Sequence, residues 1–199
     1  SYILTSFDNL YKAHCSCRKG KRWKDSVAVY DIRGFECTHA LKQILDSGEY
    51  KLSPYNCFQI NERGKKRDIK SIKYHDRVVQ KSLMDNILSP VVQPSFIDTN
   101  CASQKNKGTD YALKKLRQHM QASFRRNGTK GYILICDMHH YFDSIPHQIL
   151  NDYYRNKFED GRLLKLILDI HASIPGGVGV PLGNQIARSE ERRVGKECR

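Results

Sequence analysis

The stretch Gly131-Tyr132-Ile133-Leu134-Ile135-Cys136-Asp137-Met138-His139-His140-Tyr141-Phe142-Asp143-Ser144-Ile145-Pro146-His147 decides how the rest of the chain is read. Tyr132 to Cys136 is a short apolar run of the kind that predicts a buried strand. The run drives straight into an acid, so Asp137 is expected at the rim of a core, beside bulky side chains. A carboxylate in that position is costly as mere structure and useful as a metal ligand. Two aromatics follow, and Asp143 then stands where a helix is expected to start, a place that favours negative charge.

Downstream, Ser144 and Pro146 start a predicted helix carrying Ile149, Leu150, Tyr153 and Tyr154. Asp160 caps another, with Leu163, Leu164, Ile167 and Ile170 on one face. The chain then enters Pro175-Gly176-Gly177-Val178-Gly179-Val180-Pro181-Leu182-Gly183-Asn184-Gln185. That glycine density calls for unusual backbone angles or close approach to a ligand. No Gly-Lys-Ser/Thr follows, so it is not a Walker loop.

Upstream, Thr109 is a good N-cap for a helix in which Ala112, Leu113, Leu116, Met120 and Phe124 recur at helical spacing. Arg125 and Arg126 complement its dipole, and Gly128 fits a stop. An earlier helix is expected from about Asp76 to Leu88, ended before Pro90, with Val79, Leu83 and Ile87 on one face. The apolar faces of both helices are expected in the core. Phe58 to Ile72 reads as a basic hairpin turning at Gly64. Residues 1–57 read as a mostly helical extension, with Trp23, Val27, Tyr30 and Ile32 as apolar anchors and Thr38 to Leu45 as part of a helix. Gly48 and Pro54 mark loops.

The 199 residues are 39% hydrophobic, which fits a globular chain with a large polar surface. The seven cysteines are scattered and odd in number, and no signal peptide or membrane-length apolar run occurs, so a reducing cytoplasm is expected and a membrane is not. The formal charge of +13 favours a polyanionic partner, nucleic acid before anionic membrane. The basic clusters, Arg18 to Lys24, Arg63 to Arg67, and Arg125-Arg126, are spread so that several elements could line one groove. The bland alternative is a solvated surface. His14, Cys15, Cys17, Cys37 and His39 match no standard zinc spacing.

Residues 188–199 break the pattern. Arg188 to Arg199 has no periodicity and resembles the conceptual translation of a sequencing adapter, so it is set aside as foreign. It carries five basic and three acidic residues, and without it the charge falls only from +13 to +11. The natural protein is then expected to continue past Ala187.

Taken in order, the basic hairpin, Asp76-Arg77-Val78-Val79-Gln80, Lys107-Gly108-Thr109, the Asp137 segment and Gly179 to Gln185 resemble a bacterial reverse transcriptase. The group in question includes group II intron, retron and diversity-generating enzymes. The resemblance covers roughly residues 58–187 and rests on ordered motifs rather than on any one of them. It implies an α+β fold, mostly helical with a small antiparallel sheet: right-hand polymerase fingers at 58–130 and an incomplete palm at 131–187. It implies that Asp137 is a catalytic acid binding two Mg²⁺ ions, with the backbone carbonyl of Met138 near the second. Phe142 falls on the position of the steric gate against a 2′-hydroxyl. Lys65, Lys66 and Arg67 fall near the triphosphate-binding bases, Arg67 matching best. Pro181, Leu182, Gly183 and Asn184 resemble the template-contacting loop, and Gln185 its contact to the incoming nucleotide. The implied partners are an RNA template, a DNA or RNA primer, dNTPs, and accessory retroelement proteins.

The chain departs from the pattern at His139, where a lysine or arginine is common, and at Ala187-Arg188. Its sequence contains no Asp-Asp, so the aromatic-x-Asp-Asp box that would complete the site is missing. The 199 residues alone are therefore expected to be inactive, and the rival reading is a non-catalytic module binding RNA or primer–template. A metallohydrolase built on Asp137, His139, His140, Asp143 and His147 is disfavoured, because adjacent histidines point apart and no His-Glu-x-x-His occurs. His147 reads as a surface histidine.

Overall fold

A computed structural model of the chain describes residues 2–62, 64–101, 104, 106–137, 139, 141–174 and 176–179, with the side chains of Tyr2, Glu62, Lys65, Arg67 and Phe142 left outside that description. Four helices lead: α1 (Tyr2–Thr5), α2 (Phe7–Cys17), α3 (Asp25–Ile32) and α4 (Gly34–Ser47). A hairpin of β1 (Asn56–Glu62) and β2 (Lys65–Ser71) follows, then α5 (Tyr74–Leu83), a π-helical turn (Met84–Leu88) and α6 (Ser89–Val92). The rest comprises α7 (Thr109–Asn127), α8 (Tyr141–Ser144), α9 (His147–Arg155) and α10 (Gly161–Ala172). The architecture is thus mostly helical with one small antiparallel sheet, which agrees with α+β at that level.

Two apolar cores share α5 as their common wall. Val78 and Val79 pack with Leu10, Ala13, Tyr30 and Leu41 on one side, while Leu83 packs with Leu88, Leu150, Tyr154, Ile167 and Ile170 on the other. Each core draws on residues from both sides of position 57. Val27 and Tyr30 are buried as expected, but Trp23 and Ile32 stand 77% and 83% exposed. Asp160 caps α10 as the sequence predicts, accepting from the N–H groups of Arg162 (3.0 Å) and Leu163 (3.1 Å).

Several polar groups inside these cores are paired. His14, fully buried, meets the Tyr74 hydroxyl and Asp31 Oδ1 at 3.0 Å each, and Asp31 also holds Arg18 and Arg22. The Arg18 guanidinium, ahead of the other neighbours, holds the Asp31 carboxyl below its usual range. Asp76, also fully buried, accepts from the Tyr50 hydroxyl (2.6 Å) and the Ser53 N–H (3.2 Å), which ties the loop after α4 to α5. A buried carboxylate satisfied in this way fixes the loop's path into the hairpin.

The helix expected to stop before Pro90 runs past it. Ser89 N–H donates to Met84 O in the π turn, so the hydrogen bonding has already left the i→i−4 pattern where the proline ring and its missing N–H arrive. The hairpin pairs as expected, with Phe58 opposite Ile69, and Gln59 Nε2 donates across it to Asp68 Oδ1 (2.7 Å).

Two further apolar expectations fail. The run Tyr132 to Cys136 forms no strand: Tyr132 is fully exposed, and Ile133, Leu134 and Ile135 are 74–88% exposed. A strand needs a neighbour for its backbone groups, and among the described residues none lies beside this one. The face of α7 is also uncovered. Leu113, Leu116, Met120 and Phe124 are all more than half exposed and line an open groove of about 470 Å³ with Arg117, Gln121 and Arg125. The helix itself forms where its periodicity predicts, with Gly128 N–H donating to Phe124 O.

Candidate active site

Asp137 ends the exposed segment and is itself exposed. It makes no hydrogen bond or ion pair among the described residues. Just beyond it the chain is anchored again, Tyr141 partly buried against the core around Leu83 and Tyr154 and Ile145 8% exposed within it. Asp143 lies in the first turn of α8, as its position in the sequence predicts.

The glycine loop meets this anchored stretch. Gly179 N–H donates to Ile145 O (2.8 Å), and His147 N–H donates to Gly177 O (2.9 Å), forming a short antiparallel bridge of Pro146 with Val178. Gly176, Gly177 and Gly179 all have positive φ, at +100°, +70° and +93°. This is the left-handed backbone that glycine density predicts, and it lets the loop double back against the start of α9.

His147 clamps that contact. Its ring is 7% exposed, and Nε2–H donates to Gly179 O at 2.7 Å. The surface-histidine reading is therefore wrong: a side chain placed at the first turn of α9 by Pro146 faces inward, toward the loop. Its neighbour His171, 3% exposed, donates from Nδ1 to Asn151 Oδ1 (3.0 Å), and its Nε2 has no partner among the described residues. Burial first, and then the nearby His147, pushes the His171 imidazole down to about 4. Nothing in the sequence distinguishes His171 from any other residue near a helix end; only the packing makes it notable.

The remaining expected site residues divide cleanly. Lys66 is exposed on β2, its backbone opposite Asn61. The side chains of Lys65, Arg67 and Phe142 lie outside the described residues, as do Met138, Pro181, Leu182, Gly183, Asn184 and Gln185. No described hydrogen bond or ion pair joins the hairpin to Asp137. Among the described residues no group of three or more His, Cys, Asp or Glu is placed to hold a metal, so the cysteines and histidines of α2 and α4 form no such cluster. A Mg²⁺ ion is commonly held by one or two carboxylates together with phosphates and water. Asp137 alone fits one ligand of that set and no more. No helix among the described residues is long and apolar enough to cross a membrane. Set against known proteins, the chain matches no family model and no curated protein.

Proposed function

We propose that this chain carries the fingers and the first palm acid of an RNA-directed DNA polymerase from a bacterial or phage retroelement. One observation carries the reading. The glycine loop that leads into Val180 to Gln185 is clamped by His147 onto the residues that follow Asp137. Contact between Ile145–His147 and Gly177–Gly179 supports a reading in which an acid and a template loop serve one nucleotide site.

In this reading Asp137 contributes a carboxylate to the primer end of the reaction. Mg²⁺, when bound, would lower the barrier by activating the attacking hydroxyl and neutralising the leaving pyrophosphate. Phe142 excludes a 2′-hydroxyl, the hairpin bases Lys65, Lys66 and Arg67 meet the triphosphate, and Pro181 to Gln185 meet template and nucleotide. The +13 charge suits the polyanionic primer–template.

The second reading, a binding module without catalysis, draws on the lone carboxylate and on the missing Asp-Asp pair. Primer extension separates the two. The product of the complete gene is assayed on poly(rA)·oligo(dT) with Mg²⁺ and dTTP, beside its Asp137→Asn variant. Extension that the variant loses, with template binding kept, is the expected result. Extension that survives in the variant refutes the role of Asp137, and binding with no extension in either protein favours the module.

A further inference from the structure

One basic surface shares no lining residue with the Asp137 segment. A groove of about 490 Å³ opens between the turn before α3, α3 itself, the outer ends of both strands and the start of α5. Lys21, Lys24, Lys73, His75 and Arg77 line it, and among the described residues no Asp or Glu does. Lys21, Lys24, Lys73 and Arg77 form no ion pair among the described residues. Of the acids nearest in sequence, Asp76 is buried under Tyr50 and Ser53 and Asp31 is held by Arg18, Arg22 and His14, while Asp25 stands exposed beside Lys24 without lining the groove.

The placement works against ordinary helix stability. Lys73 is the N-cap of α5 and Arg77 lies in its first turns, at the positive end of the helix dipole. Cations gathered there repel the dipole and one another, and a bound anion relieves both. Trp23, which does not itself line the groove, is 77% exposed beside the lining Lys24, whose Nζ lies 5.1 Å from the Trp23 ring centroid. The indole N–H donates to Gly20 O (3.2 Å), which orients the ring while leaving it open to solvent.

We propose that this groove binds single-stranded nucleic acid, with backbone phosphates on Lys21, Lys24, Lys73 and Arg77 and a base stacked on Trp23. Spaced cations beside an exposed aromatic plane are what such a strand needs: charge that follows the backbone, and a flat apolar surface that takes any base. A membrane surface would use the charges but leaves the groove and the exposed ring unexplained. The inference shares the nucleic-acid partner of the proposed function and depends on none of its catalysis.

Trp23 is the only tryptophan in the chain, so its fluorescence reports on this groove alone. The 199-residue chain is titrated with a twelve-nucleotide oligo(U), reading tryptophan quenching together with anisotropy of a 3′ label. Quenching that tracks anisotropy is expected. Lys21→Gln/Lys24→Gln/Lys73→Gln should lower the salt slope of log K by about 2 and weaken binding about a hundredfold at 0.1 M salt. Trp23→Ala, followed by anisotropy, should weaken it about tenfold. A control triple of equal charge, Lys114→Gln/Lys157→Gln/Lys165→Gln, should stay within about threefold of wild type. Anisotropy without quenching, a control as weak as the groove triple, or a tryptophan blue shift on phosphatidylserine vesicles with no response to oligo(U) would each overturn the assignment. Asp137 takes no part in this titration, so its failure leaves the nucleotidyl-transfer reading standing, and the failure of primer extension leaves the groove standing.

Discussion

Acidification is predicted to loosen the α9–α10 pair through one residue, His171. Its Nδ1–H is committed to Asn151, so Nε2 presents a bare lone pair in a buried setting with Tyr154 and His147 beside it. A proton added there finds no acceptor among the described residues and puts a charge in a buried setting. The folded imidazole therefore sits at about 4 against an ordinary value of 6.5. Between those values the unfolded chain binds more protons than the folded one, so stability falls as the pH drops through 6.5 and has lost its full share below about 4. A shift of this size corresponds to about 3 kcal/mol in all, of which about 2 kcal/mol is lost by pH ~5. The measurement is urea unfolding by far-UV circular dichroism at pH ~8 and ~5 on wild type and His171→Phe. His14, which burial also lowers, contributes with the same sign in both proteins, so the difference between their pH dependences isolates His171. The variant should start about 1 kcal/mol less stable at the higher pH, from the lost Asn151 bond, and should lose about 2 kcal/mol less on acidification. Equal losses in the two proteins would show that His171 is protonated without penalty, and the account of its burial would be wrong.

Other residues test other parts of the structure. Ile167→Ala removes a fully buried side chain from the core around Leu83 and Tyr154 and should cost ~2–5 kcal/mol in urea unfolding, with the loss greater the less the cavity collapses. Asp160→Ala removes an acceptor of two backbone N–H groups at the start of α10 and should cost about 1 kcal/mol, whereas Asp160→Ser should restore most of it. Leu116→Ser on α7 should change the stability of this chain by less than ~0.5 kcal/mol, because the side chain is already half exposed; a cost like that of Ile167→Ala would mean the helix is covered in solution.

The helices were legible because their signals are local. A repeat such as Leu163, Ile167 and Ile170 marks both an element and its buried face, and Asp160 marks its start, without reference to the rest of the chain. Leu113 to Phe124 carries the same repeat and forms its helix, yet that repeat cannot say what covers the face. The run Tyr132 to Cys136 shows the limit more sharply, since a strand is a property of pairing and the pairing partner is not local. At the site, the glycine loop's backbone angles were readable from Gly176, Gly177 and Gly179. That His147 would reach the carbonyl of Gly179 was not, because α9 and α10 must first pack to bring the loop back. His171 was wholly illegible: burial and an orphaned nitrogen are outcomes of packing.

The bareness of α7 has a consequence for how this chain opens and closes. A helix with no buried residue is held by its own turns and by the cluster in which Asp98 meets Lys107, Tyr111 and Lys115, contacts that water can replace. Most of a helix's stability in a protein comes from packing its apolar face, and α7 lacks that packing among the described residues. Its amide hydrogens should therefore exchange by fraying, ahead of those of α5 and α10, whose protection follows global unfolding. Amide exchange along α7 then becomes a gauge of company. Whatever settles on Leu113, Leu116, Met120 and Phe124 will slow that helix to the pace of the cores it now stands apart from.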